Sequence, residues 1–158
     1  LWLHLMANFK IIPYEKSHGD EIVTFGMNDK LMEIDASFTD NRLDTAIPGL
    51  SYTLLVDNNI ILAGGIIPLW PGVAEGWVMS SKRVFDFKIK AAISVKKRLD
   101  SLCENNKIKR LQTSVKEKFL TGVRFAEFLG LKKEGLMLHY GLDGTNYYRM
   151  AKIYELHR

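Results

Sequence analysis

The spacing of apolar and polar positions changes along the chain, and each change marks an element. Asn8 to Tyr14 (NFKIIPY) reads as a short strand, with Pro13 at its end or on an edge. Ser17 offers an N-cap, with Asp20 and Glu21 in the turn that follows, for a helix to about Met27. A second helix starts near Asp29, where Leu31, Ile34, Phe38 and Leu43 recur at helical spacing. Ile47-Pro48-Gly49 closes that region. Ser51 to Val56 and Ile60 to Ile67 are then apolar and β-prone, and Asp57-Asn58-Asn59 between them is hairpin chemistry, because Asp and Asn tolerate a left-handed backbone. Gly64-Gly65 inside the second of these strands predicts a bulge or a close backbone approach. Leu69 to Val73 reads as a loop and Ala74 to Ser80 as a further strand.

A long amphipathic helix follows. Val84, Phe87, Ala91, Val95, Leu99 and Leu102 form its stripe, and Asn105-Asn106 ends it. Ile108 to Val115 alternates as a strand, Lys118 to Leu129 is helical, and Gly130 is its C-terminal cap. Lys132 to Tyr140 and Asn146 to Tyr154 are strands joined by a turn at Asp143-Gly144. The order β-α-α-β-β-β-α-β-α-β-β predicts an α/β fold. It has a mixed central sheet of about six or seven strands flanked by about four helices, in a single domain over residues 6–158. Leu1 to Leu5 read as an addition or as sequence upstream of a natural start at Met6.

Composition narrows the function classes. Apolar residues make up 47% and charged residues 25%, which suits an ordinary globular protein, and no apolar run approaches the roughly 18 residues that cross a bilayer. Cys103 is the one cysteine. It lies in a helical pattern and reads as a small core residue before a nucleophile. None of the four histidines stands at metal-ligand spacing from a thiol or carboxylate, so no metal site is expected. Charge is segregated: residues 1–81 hold four Lys/Arg and ten Asp/Glu, whereas residues 82–133 hold fifteen and five. The basic block suits an anionic partner, such as a phosphorylated cofactor, a nucleic acid or an acidic protein, and it reads equally as solvated helix faces. Glu75 is the only acidic residue between Asp57 and Asp86.

Two segments carry a resemblance. Arg124-Phe125-Ala126-Glu127-Phe128-Leu129-Gly130-Leu131 resembles the "fYekLGF" signature of the GNAT (Gcn5-related N-acetyltransferase) superfamily, and Glu75-Gly76-Trp77-Val78-Met79-Ser80-Ser81 resembles its central strand. Within the superfamily the Gly-Gly strand, the Trp-bearing strand and the basic helix are most similar to GNAT-like proteins of tailed phages, some of them internal virion proteins. The resemblance covers about two thirds of the chain, from near Leu50 to Tyr154. It implies transfer of an acyl group, first of all acetyl, from coenzyme A to an amine, in the cytoplasm (of a host cell, or in a virion, if phage-encoded).

On that resemblance the central strand (Trp77, Val78, Met79) lines the acyl-CoA, and Ser80, Ser81, Lys82 and Arg83 stand where the family has its glycine-rich phosphate loop. This stretch has no glycine. Hydroxyls and cations can hold phosphate oxygens in its place; the competing reading is that Ser81 caps the helix and the two cations are solvated. The family's usual acid, a tyrosine, falls at Ala126, and an asparagine common earlier in the motif falls at Phe119, so Ser114 or Tyr140 is the substitute donor. Glu75, beside Trp77 on an apolar strand, is the candidate general base, and its competing reading is an exposed strand-end carboxylate. Trp70 and Tyr147 are candidate walls of the acceptor pocket, although most large aromatics are core. Besides acyl-CoA and an amine, the sequence leaves open an anionic partner on the 82–133 face and a homodimer. A degenerate phage GNAT protein without catalysis, and a nucleic-acid-binding relative, are the alternative functions.

Overall fold

The computed structural model describes residues 6–24 and 46–155. The second predicted helix, the last residues of the first and the first five residues of the chain lie outside them. Among the described residues there are three α-helices and seven strands. They are β1 (Phe9–Pro13), α1 (Lys16–Thr24), β2 (Ser51–Val56), β3 (Asn59–Trp70), β4 (Val73–Ser80), a 3-10 turn (Lys82–Phe87), α2 (Lys88–Asn105), β5 (Arg110–Lys116), α3 (Leu120–Phe128), β6 (Lys132–Met137) and β7 (Tyr147–Ile153). The strands make one mixed sheet, as the element order predicts, in the order β1-β2-β3-β4-β5-β7-β6, with β4 and β5 parallel. The residues fall into two compact units: one runs to Gly65 and takes in Trp77–Ala91, and the other comprises Ile66–Gly76 and the chain from Ala92 onward.

In the first unit, β1 pairs antiparallel with β2 and β2 with β3. The β2–β3 hairpin turns through Asp57 and Asn58 at φ 48° and 64°, the left-handed pair that a two-residue turn requires. Ile61, Ala63 and Val56 are fully buried there, with Ile22 of α1, each valine or isoleucine side chain contributing about 1.5–3 kcal/mol. The Gly64-Gly65 signal proves to be close approach. A Cβ on Gly64 would stand 2.6 Å from the Trp77 carbonyl oxygen, and one on Gly65 would run into the Leu50 carbonyl and stand 2.7 Å from Ser51 Cα. The register irregularity of this hairpin lies instead at Leu54/Leu55.

In the second unit, β7 lies antiparallel between β5 and β6. The loop expected at Leu69 to Val73 is shorter than its composition suggests, because β3 extends to Trp70 and β4 starts at Val73. The turn is Pro71-Gly72, with Gly72 at φ +85°, and the Gly72 carbonyl accepts from the Lys109 and Arg110 amides at 2.8 and 3.0 Å. Gly130 ends α3 as predicted. At φ +98° its amide donates to the Glu127 carbonyl and that of Leu131 to Ala126, the paired bonds of a Schellman cap. Leu99, Leu102 and Cys103 of α2 are buried with Leu111 and Met150. Burial pushes the Cys103 thiol up to about 11, which keeps it an inert thiol at neutral pH.

Beside that thiol, Asp100 accepts from Lys152 Nζ at 2.8 Å and from the Tyr154 hydroxyl at 2.7 Å. Burial raises the Asp100 carboxyl, but the Lys152 and Tyr154 bonds, with the charges of Lys152 and Lys96, outweigh it and set it below the ordinary value. Burial and the same hydrogen bond push the Tyr154 phenol well up.

Two outcomes follow from this packing. Gly65→Ala meets backbone, which cannot swing aside, and lowers stability in urea unfolding by about 1–3 kcal/mol. Gly135→Ala, with nothing within 4 Å, stays within about 0.5 kcal/mol of the parent. The depressed Asp100 carboxyl gives stability that is present above the unfolded-state value of 3.8 and is lost as pH falls through the lower folded-state value. Asp100→Asn therefore flattens the acid limb of a urea-midpoint profile below about pH 4; an unchanged limb would assign the acid sensitivity to another group.

Candidate functional site

In the antiparallel ladder, Ser114 faces Arg149, Gln112 faces Ala151 and Lys116 faces Tyr147. Directly opposed residues share a face, so Arg110, Gln112, Ser114 and Lys116 of β5 lie on one face with Tyr147 and Arg149 of β7. In the parallel ladder Glu75 stands beside Gln112. Leu111, Met150 and Lys152 take the other face. Strand alternation thus sorts the second unit into an apolar face toward α2 and a polar face that holds Glu75.

On the polar face Glu75 is 13% exposed as a side chain and Arg149 25%. Arg149 Nη1 donates to Glu75 Oε2 at 3.4 Å, and Gln112 Nε2 donates to the same oxygen at 3.3 Å. Gln112 is itself fixed, since its Oε1 accepts from Arg110 Nε at 2.9 Å. The Arg110 fork closes on Glu134 of β6 with bonds of 2.7 and 2.9 Å. That fork holds the Glu134 carboxyl below its ordinary value and raises the Arg110 guanidinium. Glu75 thus stands at the inner end of a chain of four side chains, not at a solvated strand end. The last residue pair of the parallel β4–β5 ladder is Glu75 with Gln112, and the next carbonyl, that of Gly76, accepts from the Thr113 hydroxyl at 3.0 Å.

The other predicted residues of this unit divide. Ser114 lies on the same face, opposed to Arg149, and its Oγ is buried and bonded to nothing among the described residues. Tyr147 is 8% exposed and meets the Tyr140 ring edge-on at 5.4 Å. Tyr140 lies in the β6–β7 turn and is half-exposed. That turn is held by Asp143, which accepts from the Thr145 amide and hydroxyl and from Lys116 Nζ; these bonds, Thr145 first, keep its carboxyl well below the usual range. Trp70, at the end of β3, is 62% exposed and is not gathered with this group.

In the first unit, Trp77 and Met79 are buried while Val78 and Ser80 are half-buried. Trp77 packs edge-on to Tyr14 at 5.3 Å, and its indole N–H is buried and bonded to nothing among the described residues. Ser81 is 3% exposed. Its Oγ donates to the Ile60 carbonyl at 3.3 Å and accepts from the Arg83 amide at 3.2 Å. The hydroxyl therefore caps the 3-10 turn, the competing reading of the sequence. Arg83 lies 3.9 Å from Glu21 of α1, and Lys82 is exposed. Ala126 is buried in α3.

Sequence reasoning missed Arg149, Gln112, Arg110 and Glu134. A signal existed: the polar series Arg110, Gln112, Ser114 at period two marks a strand face that is not core. Among the described residues no group of three or more His, Cys, Asp or Glu side chains is placed to hold a metal ion, and no helix is long and apolar enough to cross a membrane.

No protein-family model matches the sequence, and no curated protein does. Solved structures do match. Ard1 from Thermoplasma volcanium is 15% identical over 94% of this chain and 99% of its own, with a TM-score of 0.77. An acetyltransferase of the GNAT family from Bacillus anthracis is 13% identical, covers 92% and 94%, and has a TM-score of 0.70. A putative acetyltransferase from Salmonella typhimurium, solved with its cofactor acetyl-CoA, is 12% identical, covers 94% and 95%, and has a TM-score of 0.71. The chain has the fold of GNAT acetyltransferases, as the central-strand and Leu129-Gly130 segments led one to expect.

Proposed function

We propose that the protein is an acyl-CoA-dependent N-acyltransferase, first of all an acetyltransferase, with Glu75 as general base. The observation that carries this reading is the position of Glu75. A partly buried carboxylate, fixed by Gln112 and Arg149, stands at the last residue pair of the parallel β4–β5 ladder in a fold shared with a structure that holds acetyl-CoA. Trp77, Val78 and Met79 line the acyl-CoA along β4, with backbone N–H groups to receive the developing oxyanion. Ser80, Lys82 and Arg83 contact its phosphates, while Ser81 shapes their turn. The incoming ammonium gives one proton to Glu75, and the freed amine attacks the thioester carbonyl. The C–N bond forms and the C–S bond breaks as the intermediate collapses. The thiolate leaves with a proton from Tyr140, which regains one from the former amine nitrogen through solvent. Tyr140 is preferred to Ser114 because a phenol is the stronger acid of the two hydroxyl types. Tyr147 borders the acceptor.

A second reading, a phage virion or host-interaction protein that keeps the fold without catalysis, is favoured by Ser81. Its hydroxyl serves the turn in a segment with no glycine. The likeness to tailed-phage proteins supports this reading from sequence alone.

Calorimetric titration with acetyl-CoA separates the two. Binding is expected, with Lys82→Glu weakening it about tenfold, one charged contact being of that order. Glu75→Gln is expected to leave acetyl-CoA binding intact and to lower thiol release on a panel of amines by about 100- to 10,000-fold. No binding at millimolar acetyl-CoA would sink the enzyme reading, and binding without turnover of any amine would favour the second.

A further inference from the structure

The two arginines of the polar face are used very differently. Arg110 places three nitrogens on acceptors, Nε on Gln112 and both Nη atoms on Glu134. Arg149 places one, Nη1, on Glu75 at 3.4 Å, longer than the roughly 2.7–2.9 Å of a tight charge-assisted bond. Among the described residues the Arg149 guanidinium has no other hydrogen-bond acceptor. A guanidinium carries five N–H donors in a fork that fits a carboxylate, so most of this fork is unused on a side chain only 25% exposed. Ser114, opposed to Arg149 in the ladder, adds a buried hydroxyl with no partner among the described residues. Buried donors without acceptors are rare in folded proteins, and each calls for an explanation. Ser114 is such a group, and opposed to it on the same sheet face the partly exposed Arg149 fork makes one long bond to Glu75 among the described residues.

Next to that pair stands an acceptor. Both hydrogen bonds that Glu75 receives from described residues go to Oε2. Glu75 offers negative charge and Arg149 positive charge, across the same 3.4 Å contact. The complement is a molecule with an ammonium and a carboxylate one carbon apart. A polyamine or a lysine side chain carries the ammonium without the carboxylate, and would leave Ser114 and the rest of the Arg149 fork without acceptors among the described residues, at a cost in binding.

The geometry points to a free α-amino acid as the acceptor, with its amino group at Glu75 and its carboxylate held by Arg149 and Ser114. This rests on the acyltransferase reading and names the substrate class of that site. It gives Ser114 a binding role in place of the proton-donor role expected from sequence, and makes Arg149 a specificity-determining residue. The chemical step is unchanged: the amino nitrogen gains the acyl group, the C–S bond breaks, and the carboxylate stays a spectator.

The test is direct binding, independent of turnover. The twenty L-amino acids are titrated one at a time by calorimetry, with and without saturating coenzyme A. Each binder is then compared with its α-carboxamide, which keeps the amine and side chain but loses the anion. At least one amino acid is expected to bind, and its carboxamide to bind about 10- to 100-fold more weakly, as befits loss of a charged hydrogen-bonding partner. Arg149→Lys should weaken the amino acid by a similar factor and leave the carboxamide unaffected; Ser114→Ala should weaken it about tenfold. If Arg149→Lys fails to fold, the carboxamide comparison and Ser114→Ala decide. Dissociation constants above about 1 mM for every amino acid, or equal affinity for acid and carboxamide, would overturn the inference. Failure with amino acids alongside acetyl-CoA binding removes this inference alone, whereas failure of acetyl-CoA binding removes the acyltransferase reading itself.

Discussion

A carboxylate on a largely buried strand face must be paired, and Glu75 imposes that condition on the strands around it. Taking a charge out of water costs several kcal/mol unless a partner and hydrogen bonds compensate. The partners come from β5 and β7, and they hold one another in turn. Because Arg110 Nε occupies Gln112 Oε1, the Gln112 amide has to present Nε2 to Glu75. Because Glu134 takes the Arg110 fork bidentately, Arg110 keeps the orientation that fixes Gln112. A rotameric choice at the exposed edge strand β6 is thereby passed to a carboxylate three strands further in, the cooperative behaviour of a connected polar chain.

The same strands carry a second network on their other face, and the contrast separates structural roles from functional ones. Asp100 is saturated by Lys152 and Tyr154, Lys152 also donates to the Leu129 carbonyl at the end of α3, and the neighbouring thiol is buried with its ionisation pushed up. That network ties α2, β7 and α3 together and has little left to offer a ligand. The Glu75 network, with a long Arg149 contact and a Ser114 hydroxyl that has no partner among the described residues, is incomplete by comparison, and the proposed acceptor site rests on that incompleteness.

What was legible in the sequence was whatever local chemistry decides. Asp57-Asn58 and Gly130 were readable because each position requires a left-handed backbone that few residues accept, and both adopt it. The mixed sheet was readable from the order of periodicities. The loop at Leu69 to Val73 was overestimated because Pro71-Gly72 suffices for the turn, and its apolar neighbours continue the strands on either side. The partners of Glu75 were not readable, because Gln112 lies 37 residues away and Arg149 74 residues away in sequence. Only strand register brings them together, and register is a tertiary fact.

Ser81 marks the point where the two kinds of information meet. From sequence alone, a serine followed by two cations at a helix start serves equally as an anion site or as a cap. The structure commits the hydroxyl to the cap, through Arg83 N–H and the Ile60 carbonyl. If phosphates bind here as proposed, the grip passes to the Ser80 hydroxyl, to Lys82, to Arg83 and to backbone amides. A glycine-lined turn holds phosphate with fixed dipoles at close range, whereas an exposed lysine holds it with a mobile charge that salt screens. Losing the glycines therefore exchanges geometric selectivity for electrostatic attraction. The positive charge concentrated in residues 82–133 fits a chain that relies on the second.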